Sequence, residues 1–148
     1  MGIVRTPLLR DLLAAFGPDP GRLPDAEVVG STTADQAIAL EALAGTGWPL
    51  EPDVATTRRD LASGRAMSVA VFPSPAVRVN FFFNWNYVAF DVDLTELIDQ
   101  ESVDSVCAVI ATVGGAIGKP VVLTHEGGGP AVLTYDPALD TFELTGAE

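Results

Sequence analysis

Apolar and polar residues alternate in three runs between residues 66 and 94, and this alternation predicts three strands. A period of two residues is typical of a strand with one buried face. Residues 73–75 (Pro-Ser-Pro) and 84–87 separate the runs and have the composition of turns. We therefore expect an antiparallel meander whose apolar faces point into one core. Those faces carry Met67, Val69 and Val71 in the first run, Val77, Val79, Phe81 and Phe83 in the second, and Val88, Phe90, Val92 and Leu94 in the third.

The register of the meander must keep the three apolar faces on one side, because a shift of one residue would turn every side chain over. A first turn at residues 73–75 pairs Val71 with Val77, Val69 with Val79 and Met67 with Phe81. A second turn at residues 84–87 pairs Phe83 with Val88, Phe81 with Phe90 and Val79 with Val92.

The opposite face of the meander is both polar and aromatic. The register places Arg78 opposite Asp93, where an ion pair across the two strands is expected, and it places Asn80 opposite Asp91 and Phe82 opposite Ala89. One interpretation is an ordinary solvated sheet face, which antiparallel sheets commonly have. The other is a partner-binding surface formed by Phe72, Arg78, Phe82, Trp85, Tyr87 and Asp93.

The rest of the chain predicts helices and shorter strands. Helical spacing and end signals predict helices that begin near Thr6, at Thr33 or Thr32, and near Asp53 and Ser102, each ending at a glycine. Further strands are expected at residues 121–125 and 131–135, with others at 26–30 and 141–144. These elements predict one α+β domain over residues 1–148, mainly helical over 1–64 and sheet plus helix over 65–148. Its antiparallel sheet would have five or six strands in the order β-β-β-α-β-β, with the N-terminal helices and the long helix on one face.

Charge and composition narrow the classes of partner. Twenty acidic and eight basic residues give a net charge of −12, which disfavours nucleic acid and anionic membranes and suits a basic protein partner. The apolar runs are too short to span a membrane, and Arg10 and Asp11 interrupt the first one, so no signal peptide is expected. The single cysteine, Cys107, lies on an apolar helical stripe, which indicates a buried structural thiol. We expect a cytoplasmic protein without a cofactor.

Three hypotheses of function remain after the motifs are considered. The first is a non-catalytic binding domain for an unidentified protein, similar in size, charge and element order to immunity proteins and secretion chaperones. The second is a metal-dependent or hydrolytic enzyme that uses Asp91, Asp93 and His125, the only histidine. The third is a homo-oligomeric structural domain that pairs through the same sheet face.

Overall fold

A computed structural model describes residues 6–17, 23–65 and 67–145 of the chain. Within these residues, four helices form, α1 (Leu9–Phe16), α2 (Thr33–Ala44), α3 (Val54–Ala62) and α4 (Gln100–Ile117), and a 3-10 turn spans Leu94–Glu96. The eight strands of the same described part are β1 (Asp25–Val28), β2 (Leu50–Glu51), β3 (Ser68–Ser74), β4 (Val77–Phe82), β5 (Ala89–Val92), β6 (Val121–Thr124), β7 (Ala131–Asp136) and β8 (Thr141–Leu144).

All eight strands form one antiparallel sheet in the order β2-β3-β4-β5-β1-β6-β7-β8. The α+β class agrees with the sequence, but the prediction of five or six strands in the order β-β-β-α-β-β is wrong. Strand β2 has only two residues, which is too short for any alternation to be detected. The larger correction is the position of β1, which lies in the middle of the sheet.

Strand β1 joins the meander to the C-terminal strands. Its residues alternate between solvent and core, with Asp25 and Glu27 exposed and Ala26 and Val28 buried. Ala26 pairs with Phe90 on one side and with Leu123 on the other. The sequence predicted a strand at residues 26–30, close to its observed position, but it did not predict that this strand lies between β5 and β6.

The register of the meander was predicted correctly at its second turn and incorrectly at its first. Phe81 faces Phe90 and Val79 faces Val92, as expected. Across the first turn, however, Val71 faces Val79, Val69 faces Phe81 and Ser74 faces Val77, with an irregularity between Val71 and Ser74. Pro73 and Ser74 belong to strand β3, so the turn contains only residues 75–76. The pairing shifts by two residues, which keeps the same side chains in the core.

Capping side chains mark the start of three helices, and a glycine marks the end of α4. Thr32 and Asp35 form a capping box at α2, Asp99 and Ser102 form another at α4, and Asp53 caps α3. The prediction of Thr6 as the cap of α1 is wrong, since that helix begins at Leu9. Helix α4 ends at Gly118, whose left-handed backbone (φ 79°) suits glycine.

One hydrophobic core lies between the sheet and the helices. Helix α4 packs on β3, β4 and β7 and contacts α2, while α3 packs on α2. Buried residues of α1, α2 and α4 belong to the same cluster as the inner side chains of the strands. All four described helices therefore lie on one face of the sheet, and none of them covers its other face. Among the described residues, no helix combines the length and apolar character needed to cross a membrane.

Candidate binding surface

The face of the sheet that the helices leave uncovered, here called the outer face, runs across six strands in register. One row of partners is Ser68, Phe82, Ala89, Glu27, Val122 and Thr134, and the next is Ala70, Asn80, Asp91, Asp25 and Thr124. The sequence predicted the Asn80–Asp91 and Phe82–Ala89 partners, and the register confirms both. The outer face thus combines carboxylates with aromatic and small apolar side chains.

Three aromatic side chains form a cluster where β4 turns into β5. The ring centroid of Trp85 lies 5.8 Å from that of Phe82 and 5.7 Å from that of Tyr87, and the Trp85 and Tyr87 rings are nearly parallel. Trp85 keeps 49% of its surface exposed and Tyr87 keeps 36%. This aromatic cluster, consisting of Phe82, Trp85 and Tyr87, is a preassembled surface with exposed ring faces.

A buried glutamine on the helical side holds the aromatic cluster in place. Gln36 lies on α2, and its Nε2 donates hydrogen bonds to the carbonyl oxygens of Trp85 (2.7 Å) and Tyr87 (3.2 Å). The side chain is almost fully buried, so these bonds are shielded from water. The core side of the molecule therefore fixes the backbone that presents both rings.

A pocket of about 300 Å³, the outer pocket, lies between the aromatic cluster and strand β1. The aromatic cluster, Asp25 and Glu27 line it, together with Gly128 and Gly129 of the β6–β7 loop. The neighbouring Gly127 donates its N–H to Oδ2 of Asp25 (3.0 Å), which ties the loop to β1. All three glycines have positive φ angles, a conformation that other residues rarely adopt. The outer pocket is therefore acidic on one side and aromatic on the other.

Carboxylates crowd together beside the outer pocket. Asp25 and Asp91 are direct partners on adjacent antiparallel strands, an arrangement that destabilises a sheet when both are charged. Burial, followed by the nearby charges of Asp25, Asp93 and Glu126, raises the pKa of Asp91, although Asn80 donates a hydrogen bond to it (3.0 Å). The sheet therefore maintains a negative potential here at some expense of stability.

The other predicted site residues lie outside this pocket. Phe72 lines a separate shallow groove with Trp48 and Pro49, and the Arg78 guanidinium carbon lies 5.9 Å from its ring centroid. The Arg78–Asp93 ion pair expected from the sequence is not formed, because each side chain takes a nearer partner. Arg78 Nε donates to Asn80 (2.8 Å), and Asp93 accepts from the N–H and hydroxyl of Thr95.

The enzyme hypothesis required Asp91, Asp93 and His125 to converge. His125 instead packs edge-on against Phe16, with the ring centroids 5.6 Å apart. Within residues 6–17, 23–65 and 67–145, no group of three or more His, Cys, Asp or Glu side chains is arranged to hold a metal ion.

Cys107 is buried in the core, as its apolar stripe predicted. Burial raises the pKa of its thiol to about 12, so the reactive thiolate is scarce at neutral pH.

Sequence reasoning placed Phe82 on the sheet face opposite the apolar one, as the register shows, but it missed the carboxylates beside the aromatic cluster. Asp25 and Glu27 were not named as candidates, although the alternation of residues 25–28 is a strand signal. Nothing in the sequence indicated that Gln36 is buried or supports the aromatic cluster, because a polar residue on a helix with a weak apolar stripe is usually exposed to solvent. Comparison of the chain with protein-family models, with curated proteins and with solved structures finds no match in any of the three.

Proposed function

We propose that this chain is a non-catalytic binding domain that recognises a basic segment of another protein at the outer pocket. The observation that carries the proposal is the position of three exposed or half-exposed aromatic side chains beside Asp25 and Glu27 in one pocket. Aromatic faces attract cations through their quadrupole, and carboxylates form charge-assisted hydrogen bonds with guanidinium and ammonium groups.

Electrostatic complementarity favours a cationic occupant. The chain carries a net charge of −12, and Asp25 and Asp91 add a local concentration of negative charge next to the pocket. Such a field steers basic partners toward the surface and rejects acidic ones. The pocket volume of about 300 Å³ suits one or two side chains rather than a folded domain.

The arrangement also suits recognition rather than chemistry. The Asp25 carboxylate accepts a hydrogen bond from the N–H of Gly127, and the Asp91 carboxylate accepts one from the side-chain amide of Asn80. These bonds orient the two carboxylates, but neither donor can act as a general base. Gln36 holds the aromatic turn from behind, so little conformational entropy would be lost when a ligand binds. A preorganised pocket with carboxylates and aromatic rings is suited to binding a basic side chain.

A pair of peptides tests the proposal. Tetra-arginine is titrated into the protein by calorimetry, and tetra-citrulline, which has nearly the same shape without the charge, is the matched ligand. We expect tetra-arginine to bind and tetra-citrulline to bind at least tenfold more weakly. Trp85→Ala should weaken tetra-arginine binding by roughly fivefold, because a cation–π contact at an exposed site contributes up to about 1 kcal/mol.

Comparing Glu27→Gln with Glu101→Gln distinguishes binding of the peptide at the outer pocket from its non-specific attraction to an acidic protein. Both remove one exposed carboxylate, but Glu27 lines the outer pocket and Glu101 lies on α4. Only Glu27→Gln should weaken tetra-arginine binding. Equal effects of the two substitutions would show that the peptide binds the overall charge, and the proposed site would then be wrong.

Sedimentation tests the alternative of a second copy at the same face. We expect a monomer before and after Phe82→Asp. A wild-type dimer that this substitution converts to a monomer would show that the outer face pairs two copies, and it would overturn the proposal of a basic partner there.

A further inference from the structure

A second cleft lies on the helical side of the aromatic turn, between α2, α3 and residues 83–86. Its volume is about 400 Å³. Leu40 and Phe83, which are both buried, form its apolar base, and Leu61 contributes to one wall. A concave site of this size with an apolar base is typical of small-molecule binding. We refer to it as the helical cleft.

The rim of the helical cleft is positively charged, in contrast to the rest of the molecule. Arg58 and Arg65 line it with a single acidic residue, Glu41, so the lining carries a net positive charge within a chain of net charge −12. Arg58 donates from Nε (2.7 Å) and Nη2 (2.8 Å) to the Glu41 carboxylate, which occupies that guanidinium. Arg65 is exposed and lies three residues after the end of α3, and no acidic side chain among the described residues forms an ion pair with it, so it is the cation best placed to meet a ligand.

Neutral amide groups complete the rim. Asn84 and Asn86 also line the cleft, and their side-chain amides can donate hydrogen bonds to an anionic oxygen. A doubly charged head group such as a phosphate would be repelled by the nearby Glu41. A singly charged carboxylate matches one arginine with amide donors and tolerates the glutamate.

We propose that the helical cleft binds a small amphiphile that carries one carboxylate and an apolar body. The apolar body contacts Leu40, Leu61 and Phe83, and the carboxylate is held by Arg65 with the two asparagine amides. The helical cleft shares Trp85 with the outer pocket, but its other lining residues are different and its ligand has the opposite charge.

Nuclear magnetic resonance with octanoate as the probe tests the proposal. Octanoate should shift the backbone amide signals of Ala37, Leu61 and Ala62, which line the helical cleft and not the outer pocket. Octylamine, which has the same chain with a positive head, should leave these three signals unshifted.

Two arginine substitutions supply the matched comparison. Arg65→Gln should raise the Kd for octanoate at least tenfold, because it removes the charged partner of the carboxylate. Arg59→Gln removes the same charge from an exposed position on α3 that does not line the cleft, and it should change the Kd by less than twofold.

Three results would overturn the proposal. They are an absence of octanoate shifts at millimolar concentration, equal shifts with octylamine, and equal weakening by Arg65→Gln and Arg59→Gln. The second would show apolar contact without head-group recognition, and the third would show general electrostatic attraction. None of them bears on tetra-arginine binding at the outer pocket.

Discussion

The two faces of the sheet are built from neighbouring residues and have opposite properties. Phe81 points inward, is fully buried and stacks on Phe90, with ring centroids 4.6 Å apart. Phe82, the next residue, points outward beside Trp85 and lines the outer pocket. The inner face is closed by helices and contains almost only apolar side chains, while the outer face retains clustered carboxylates. The comparison indicates that stability depends mainly on one face and that recognition can be changed on the other.

Alanine at each of the two adjacent phenylalanines gives the largest expected contrast. Phe81→Ala should lower the free energy of unfolding by about 3–5 kcal/mol, because it removes buried surface and leaves a cavity. Phe82→Ala should lower it by less than about 1 kcal/mol, since its side chain is only partly covered. Urea denaturation measures both. Similar losses from the two substitutions would show that the outer face is part of the stabilising core.

The two adjacent glycines of α4 test how closely the inner face is packed. A Cβ at Gly114 would lie 2.9 Å from side-chain atoms of both Tyr135 and Val121, which are buried and cannot move away freely. Gly114→Ala should therefore destabilise the fold by about 1–3 kcal/mol. Gly115 has no atom within 4 Å of such a Cβ, so Gly115→Ala should stabilise the helix by up to about 1 kcal/mol. Thermal unfolding distinguishes the two signs, and equal effects would contradict the close approach.

Asp35 is a carboxylate on the helical side of the molecule that we expect to stabilise the fold. It accepts from Lys119 Nζ (2.8 Å) and from the N–H of Thr32, and the hydrogen bond from Lys119 lowers its pKa. Asp35→Asn should destabilise the protein by up to about 1 kcal/mol at pH 7, because it keeps an acceptor for Thr32 but removes the negative partner of Lys119.

A lowered pKa means that this stability is present above the ordinary pKa of about 4 and is lost as the pH falls through the folded-state value. The difference between wild type and Asp35→Asn in urea denaturation should therefore shrink below pH 4. A difference that stays constant down to pH 2 would show that the charge of Asp35 is not involved.

Asp91 on the outer face should behave in the opposite way. Its raised pKa means that the charged form is less favourable in the folded protein, so ionisation lowers stability as the pH rises above about 4. Asp91→Asn keeps an acceptor for Asn80 and removes the charge opposite Asp25.

We expect Asp91→Asn to stabilise the protein by roughly 0.5 kcal/mol at pH 7, because solvent screens a partly exposed group, and to have no effect near pH 2. Urea denaturation at the two pH values measures the change. A loss of stability at pH 7 would show that the carboxylate stabilises the sheet, and the contrast between the two faces would then be weaker than proposed.

Particular residues show what the sequence could predict. The alternation of residues 67–94 predicted the buried faces of three strands, and the capping residues predicted the start of α2 and α3. The same alternation placed Phe82 on the face opposite the apolar one. The first hairpin register was wrong, because Pro73 and Ser74 continue a strand that prolines usually interrupt.

The sequence by itself determined which side chains of the three-strand meander are buried, because the period of a strand is a local property that follows from backbone geometry. Only the tertiary structure decided which elements are neighbours. Strand β1 lies between β5 and β6, more than sixty residues away along the chain from the nearer of them, and no local pattern specifies such a pairing. That placement brings Asp25 and Glu27 to the aromatic cluster, and it is the physical reason that half of the outer pocket could not be predicted from the sequence.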